Sequence, residues 1–328
     1  MTRIGNALRN DPHLRPLAIL LGCIVLLAIA DWGRGEVLRV ATVVTTLETF
    51  GTIGLVALGL GLTMMIREFD ISVVGMFSMA GCIAVLTGAH NPWLGLACAM
   101  AAGLVGGLVQ GVIIVRLRLG SIGVTLGGLL VFAGVAYVVS ENRTLPYDNL
   151  QVALAMGNRI AGIFSIRSVV ALAIFVAAAL VIGVTRIGRD MIATGNDRRA
   201  AMTAGVNVNA LIVGIFGFSG MMAALSGAML SFSLASASPS GLSDVIVPAA
   251  AAAILGGVSL AGGTGRPLGI ALGVLTLGVI HAGLNAIGVP PYVDEVTMGA
   301  ILLVVAIADG PYLMRRVRGI ARARRQST

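Results

Sequence analysis

The sequence has no lysine: its 22 Lys-plus-Arg positions are all arginine. A Walker A phosphate loop needs its Lys, so none exists here. Any ATP hydrolysis that serves this protein therefore takes place on another chain. Charge of either sign is scarce. Charged residues make up 11% of the 328, against about a quarter in an ordinary soluble domain. So little polar surface does not cover a globule of this size in water. The three cysteines, Cys23, Cys82 and Cys98, all lie inside apolar runs and read as small buried hydrophobes, neither metal ligands nor disulfides. The three histidines are scattered and give no zinc spacing. With no paired carboxylates, metal set or nucleophile–base cluster, the residues assign no enzyme chemistry, and no metal or cofactor is expected.

What fills the chain instead is apolar. Hydrophobic residues make up 57%, and mean hydropathy is +0.99. Glycine is abundant at 45 residues, as suits membrane helices that pack by close backbone approach. A helical span needs about 20 mostly apolar residues. Ten candidates are read: Pro16–Trp32, Val43–Ile66, Ile71–Ala89, Pro92–Val115, Ser121–Ser140, Phe164–Thr185, Ala210–Ser231, Val245–Val258, Pro267–Ile287 and Val296–Met314. The expected fold is all-α, a polytopic membrane protein of about ten transmembrane helices. It forms a single domain over 1–328, with a short N-terminal segment at 1–15 and a basic tail at 315–328.

Arginine sets the orientation. Arg3, Arg9 and Arg15 precede the first run, and six arginines between Arg315 and Arg325 follow the last. Arginines that flank apolar spans are topology determinants first, so both termini are expected in the cytoplasm and an even number of spans agrees. Counting from there, Arg116, Arg118, Arg186, Arg189, Arg198, Arg199 and Arg266 all fall inside. Placed this way, the formal net charge of +8 marks membrane topology rather than nucleic acid. The N-terminal run with Ala28-Ile29-Ala30 also has the form of a signal peptide, but its removal would leave nine spans and break the charge parity.

Polar residues within or between the spans are the candidate functional positions. "REFD", Arg67–Asp70, separates the second and third spans by too few residues for a free loop. Its carboxylates must sit near the membrane, either as a solvated turn or beside a path. An Arg67–Glu68 or Arg67–Asp70 pairing would lower their cost. Glu48 is a carboxylate inside an apolar run. His281 and Asn285, spaced i and i+4, share a helix face; they either bond across helices or line a polar path. In "NDRRAAMTAGVN", Asn196 or Asp197 can cap a short helix. Ala200, Ala201 and Ala204 favour helix and allow close docking, Gly205 can end the helix, and Arg198 and Arg199 offer salt bridges. The "SLAGGTGRPLG" segment has no Lys and no preceding strand, so it reads as a tight turn restarted by Pro267.

Three stretches together resemble one family, the inner-membrane permeases of ribose-type bacterial ABC importers. They are "FDISVVG", with Asp70, Ser72 and Val73 in register; "GRDMIATGNDRRAAMTAGVNV", Gly188–Val208; and "ILGGVSLAGGTGRPLG", Ile254–Gly269, followed by "LGVIHAGLNAIGV". The resemblance covers roughly residues 45–310. The chain departs from it where most relatives carry Gly-Gly, here Arg67-Glu68, and where they carry Gly, here Val74. The resemblance implies a type II ABC importer-like permease fold that moves a sugar or related polar solute. It implies three kinds of partner: a second permease subunit, identical or not, an ABC ATPase that binds the ATP, and a periplasmic or lipid-anchored solute-binding protein. It also implies that Asn196, Asp197, Arg198, Arg199, Ala200, Ala204 and Gly205 couple to the ATPase. Glu48, Asp70, Ser72, His281 and Asn285 are the candidates for the translocation path, in the bacterial inner membrane. More distant relatives carry nucleosides or branched-chain amino acids. The rival from another class is an ion-gradient-driven secondary transporter, which would bury charged residues mid-span.

Overall fold

The structure, a computed structural model, describes residues 14–32, 35–240, 245–290 and 292–303. The basic tail, most of the N-terminal segment and the end of the expected tenth span lie outside these residues. The described chain is a helical bundle. Its first five helices are α1 (Leu14–Ala30), α2 (Val40–Met65), α3 (Val73–Thr87), α4 (Pro92–Leu117) and α5 (Ser121–Val139). A connection then carries the short α6 (Leu150–Gly157). The second half comprises α7 (Ile166–Val184), α8 (Arg186–Asn196), α9 (Arg198–Thr203), α10 (Val208–Ser233), α11 (Ile246–Leu255) and α12 (Pro267–Ala286), then helical residues 292–303.

The helices begin where side chains satisfy their free N–H groups. Asn91 accepts from the amides of Trp93 and Leu94, with Pro92 in the first turn. Ser165 accepts from Ser168 ahead of α7, and Asn207 from Ala210 ahead of α10.

Among the described residues, six helices are long and apolar enough to cross a membrane: α2, α4, α5, α7, α10 and α12. The apolar helices α1, α3 and α11 are shorter. The expected third and eighth spans are therefore not full-length helices. α3 starts only at Val73 because residues 66–72 are irregular, and α11 has 10 residues, about 15 Å of helix. Both are buried over most of their length. That is the setting in which interrupted helices are tolerated at membrane depth, since protein rather than lipid satisfies the backbone.

α2 and α10 form the centre of the bundle. Leu55, Leu58 and Leu60 of α2 and Phe216, Ala223 and Ala224 of α10 have no measurable exposure. α4 crosses α10 at backbone contact. A Cβ at Gly107 would lie 2.1 Å from the Phe216 carbonyl oxygen, and one at Gly103 would lie 2.4 Å from that of Gly220. Here glycine is what permits the crossing. α5 and α7 form the outside and expose apolar side chains such as Leu130, Val138 and Val184, a surface suited to lipid.

The connections gather at two ends. At one end lie residues 66–72, α8 with α9, and residues 256–266. At the other lies the α5–α7 connection. Its β1 (Leu145–Pro146) pairs with β4 (Ser236–Ala237), and β2 (Arg159–Ile160) pairs with β3 (Phe164–Ser165), both antiparallel. Tyr147 donates to the Gly88 carbonyl and stacks on Phe232 at 4.7 Å. This short sheet-and-aromatic cap ties α3 to α10 and qualifies the all-α reading.

Candidate functional site

The first end of the bundle brings together the three segments that carry the resemblance. Asp197 is the N-cap of α9, and its carboxylate accepts from the amides of Arg199 (2.8 Å) and Ala200 (3.1 Å). Those two bonds, Ala200's first, hold its carboxyl below the usual aspartate range. α9 stops at Gly205, whose φ is +86°. The Val206 amide reaches the Ala201 carbonyl and the Gly205 amide that of Met202, each at 3.0 Å. This pair of bonds is a Schellman cap, and its left-handed residue favours Gly. Only Ala201 of α9 is buried. Arg199, Ala200, Thr203 and Ala204 are exposed, as is Met202, which the sequence reading did not single out.

α8 and α9 rest on the other two segments. A Cβ at Gly195 would lie 2.0 Å from the Met65 carbonyl oxygen and 2.4 Å from the Gly263 amide. The Gly263 amide in turn donates to Met65 at 2.8 Å. Asn196 lies at the end of α8 rather than capping α9, and its amide donates to the Ile192 carbonyl at 2.8 Å.

The expected pairing of Arg67 with Glu68 or Asp70 does not form. Arg67 adopts φ +63°, which turns it out of the helix, and its Nε donates to the Ala261 carbonyl at 2.5 Å. Glu68, nearly buried, pairs instead with Arg198, whose guanidinium also donates to the Ile66 carbonyl at 3.2 Å.

Asp70 is buried in a fully hydrogen-bonded setting. Its Oδ1 accepts from the Ser72 hydroxyl (2.6 Å) and amide (3.1 Å), and its Oδ2 meets the Ser219 hydroxyl at 2.8 Å. Gln110 of α4 donates to Ser72 Oγ at 2.8 Å. The Ser72 hydroxyl hydrogen is thereby committed to Asp70. Ser219 and Gln110 were not visible as partners in the sequence. The Gln110 side chain also lines a groove of about 710 Å³ between α4 and α5, and its Oε1 has no partner among the described residues.

The remaining candidates lie elsewhere. Glu48 is half-buried in the first half of α2, within electrostatic reach of Arg167. Arg167 is buried at the start of α7 and donates to Thr52 Oγ1 at 2.9 Å. His281 and Asn285 do meet, at 3.2 Å, on the last turns of α12. The other His281 nitrogen, Nδ1, meets Asp294 Oδ2 at 2.5 Å. Arg167 and Asp294 were both missed, although Asp294 is a carboxylate that follows the end of α12 closely in the sequence. The translocation candidates thus occupy separate places, with Asp70 and Ser72 at one and Glu48 and the His281–Asn285 pair at others.

An apolar multi-helix bundle with an exposed capped helix at one end, and no cluster of metal-ligating side chains among the described residues, has the build of a membrane permease. The chain matches the family described as branched-chain amino acid transport system / permease component over residues 42–306, and it belongs to that family. It is 28% identical to the ribose import permease protein RbsC of Escherichia coli K12 over 296 residues, 88% of this chain and 92% of that one. It is 27% identical to RbsC of Bacillus subtilis 168 over 304 residues, 91% and 94% of the two chains. It is 29% identical to the L-arabinose transport system permease protein AraH of Escherichia coli K12 over 260 residues, 78% of each. No solved structure matches. Members of this group are transport permeases, not enzymes.

Proposed function

We propose that this chain is the membrane-spanning half-pathway of an ABC importer for a sugar or related polar solute in the bacterial inner membrane. The observation that carries the reading is the family match together with the capped, outward-facing α9 in its middle. The relatives named for ribose and arabinose support the sugar class. Both termini face the cytoplasm. α9, with Asp197 and Gly205 fixing its ends and Ala200 and Ala204 on its surface, seats in a separate ATPase, which binds the ATP; the permease needs no cofactor. A second permease copy or homologue completes the path, and a binding protein delivers solute to the opposite end. Substrate choice then rests largely with the binding protein, and Glu48, Asp70, Ser72, His281 and Asn285 supply polar contacts along the way. ATPase closure moves α9, and the bundle alternates between two packings.

The test is uptake by proteoliposomes holding the chain with its companion ATPase and binding protein, probed with labelled ribose and L-arabinose. Uptake should require ATP and persist when the proton gradient is collapsed. Accumulation by the purified chain alone, driven by a gradient, would instead establish a secondary transporter that uses Glu48 or Asp70 as its relay.

A further inference from the structure

We propose that the Glu68–Arg198 ion pair is the strut that carries movement of α9 into the bundle. The proposal rests on the coupling role of α9 given above. α9 is poorly anchored by packing, because Ala201 is its only buried residue. Force applied to it is passed on in part by directed contacts at its ends, beside the backbone contact of Gly195 with Met65 and Gly263. Arg198, its first residue, provides two such contacts, one to the Glu68 carboxylate and one to the Ile66 carbonyl at the end of α2.

Glu68 is well placed to receive that force. It is 7% exposed, whereas the Arg198 side chain is 38% exposed, so the guanidinium reaches in from the surface to a buried carboxylate that has a strong need of a partner. Its own amide is fixed to the Thr63 carbonyl of α2 at 3.0 Å. The residues that follow are tied, one after another, to three other helices. The Phe69 amide donates to the Ser121 hydroxyl and the Phe69 carbonyl accepts from the Thr125 hydroxyl, both at 3.1 Å and both on α5. Asp70 holds Ser219 of α10 and, through Ser72, Gln110 of α4. A displacement of Arg198 therefore reaches α2, α5, α10 and α4 through a connection seven residues long (66–72). With packing so slight on α9, loss of the carboxylate or the guanidinium severs this route and leaves the docking face intact.

The experiment uses the complete complex in proteoliposomes, with Glu68→Gln, Arg198→Gln and the exchange Glu68→Arg with Arg198→Glu. Assembly with the ATPase, ATP hydrolysis and uptake per assembled complex are measured together, with ribose and L-arabinose as probes. Glu68→Gln should assemble and hydrolyse ATP near the wild-type rate while uptake falls about tenfold, the scale of an ordinary coupling free energy, and Arg198→Gln should lose uptake per assembled complex to the same extent. The exchange should restore a substantial part of that uptake. Glu68→Asp, which keeps the charge, serves if a Gln variant does not accumulate, and it should transport more per complex than any neutral variant that assembles. Uptake per complex unchanged in the single variants, or uptake and hydrolysis falling in step with no recovery on exchange, would overturn the strut. Absence of ATP-dependent uptake in the wild-type complex would instead overturn the importer reading itself.

Discussion

At the scale of single residues, Asp70 is defined by its acceptor duty. Two donors from Ser72 converge on Oδ1, and the Ser219 hydroxyl meets Oδ2. Asn can keep its carbonyl toward Ser72 and offer its amide to the Ser219 oxygen, so Asp70→Asn should insert at near wild-type levels. Asp70→Ala leaves buried donors without an acceptor, at a cost on the order of 1–3 kcal/mol for each. Its abundance and melting temperature in detergent should drop clearly below those of Asp70→Asn; equal values for the two variants would count against the network. Asp197 follows a different rule. Its carboxyl is held below the ordinary range by the Ala200 and Arg199 amides. The stabilisation is therefore complete above the unfolded-state value of about 3.9 and is lost as pH falls through the folded-state value. Protection of the Arg199 and Ala200 amides, taken as exchange relative to an unstructured chain at the same pH, should hold from neutral pH to about pH 5 and fall in stronger acid. Asp197→Asn keeps a capping oxygen and should remove that acid dependence, whereas Asp197→Ala should speed exchange at every pH.

At the scale of elements, α9 and the residues beneath it behave as a docking piece on a close-packed seat. Ala204 sits exposed at the end of α9, so a bulky charge there disturbs no internal contact. Ala204→Glu should leave the protein inserted and abundant and abolish uptake; uptake at the normal rate would refute docking through this face. Gly195 is the opposite case, because it has no room for a Cβ between Met65 and Gly263. Gly195→Val should lower abundance as well as transport, since the obstruction is backbone rather than a movable side chain. Much of this region is legible in the sequence. Asp197 ahead of an alanine-rich stretch and Gly205 after it are local signals, and capping depends only on neighbours along the chain. The Glu68–Arg198 and Asp70–Ser219 contacts are not legible, because they join positions 130 and 149 residues apart. Apolar periodicity says which face is buried but not against which other segment. The irregular start of α3 was hidden for a related reason. The charged residues within 67–70 mark a break but do not show that Ile71 and Ser72 stay outside the helix as well, where Ser72 bonds the Asp70 carboxylate. The strands Leu145–Pro146 and Ser236–Ala237 are too short to leave an alternating pattern.

At the scale of the whole molecule, the two ends differ in chemistry, and the proposed topology puts them in different compartments. One end carries Arg186, Arg189, Arg198 and Arg199 around the docking helix; the other carries the paired strands and the Tyr147–Phe232 stack. Arginine clusters resist translocation, so the proposed topology puts the arginine-rich end in the cytoplasm. In a background where Cys23, Cys82 and Cys98 are replaced by Ala, single cysteines report this directly. Met202 is 52% exposed on α9, and Ser240 is exposed just beyond β4. Met202→Cys should react with a membrane-impermeant maleimide in inside-out vesicles and stay unlabelled in intact spheroplasts, and Ser240→Cys should do the reverse. These positions lie on either side of α10, whose 26 residues span about 39 Å, more than a bilayer's apolar core of about 30 Å. Labelling of both from the same side would mean that α10 does not cross the membrane. Labelling with the sides exchanged would put α9 where no ATPase can reach it, and the importer mechanism would fail with it.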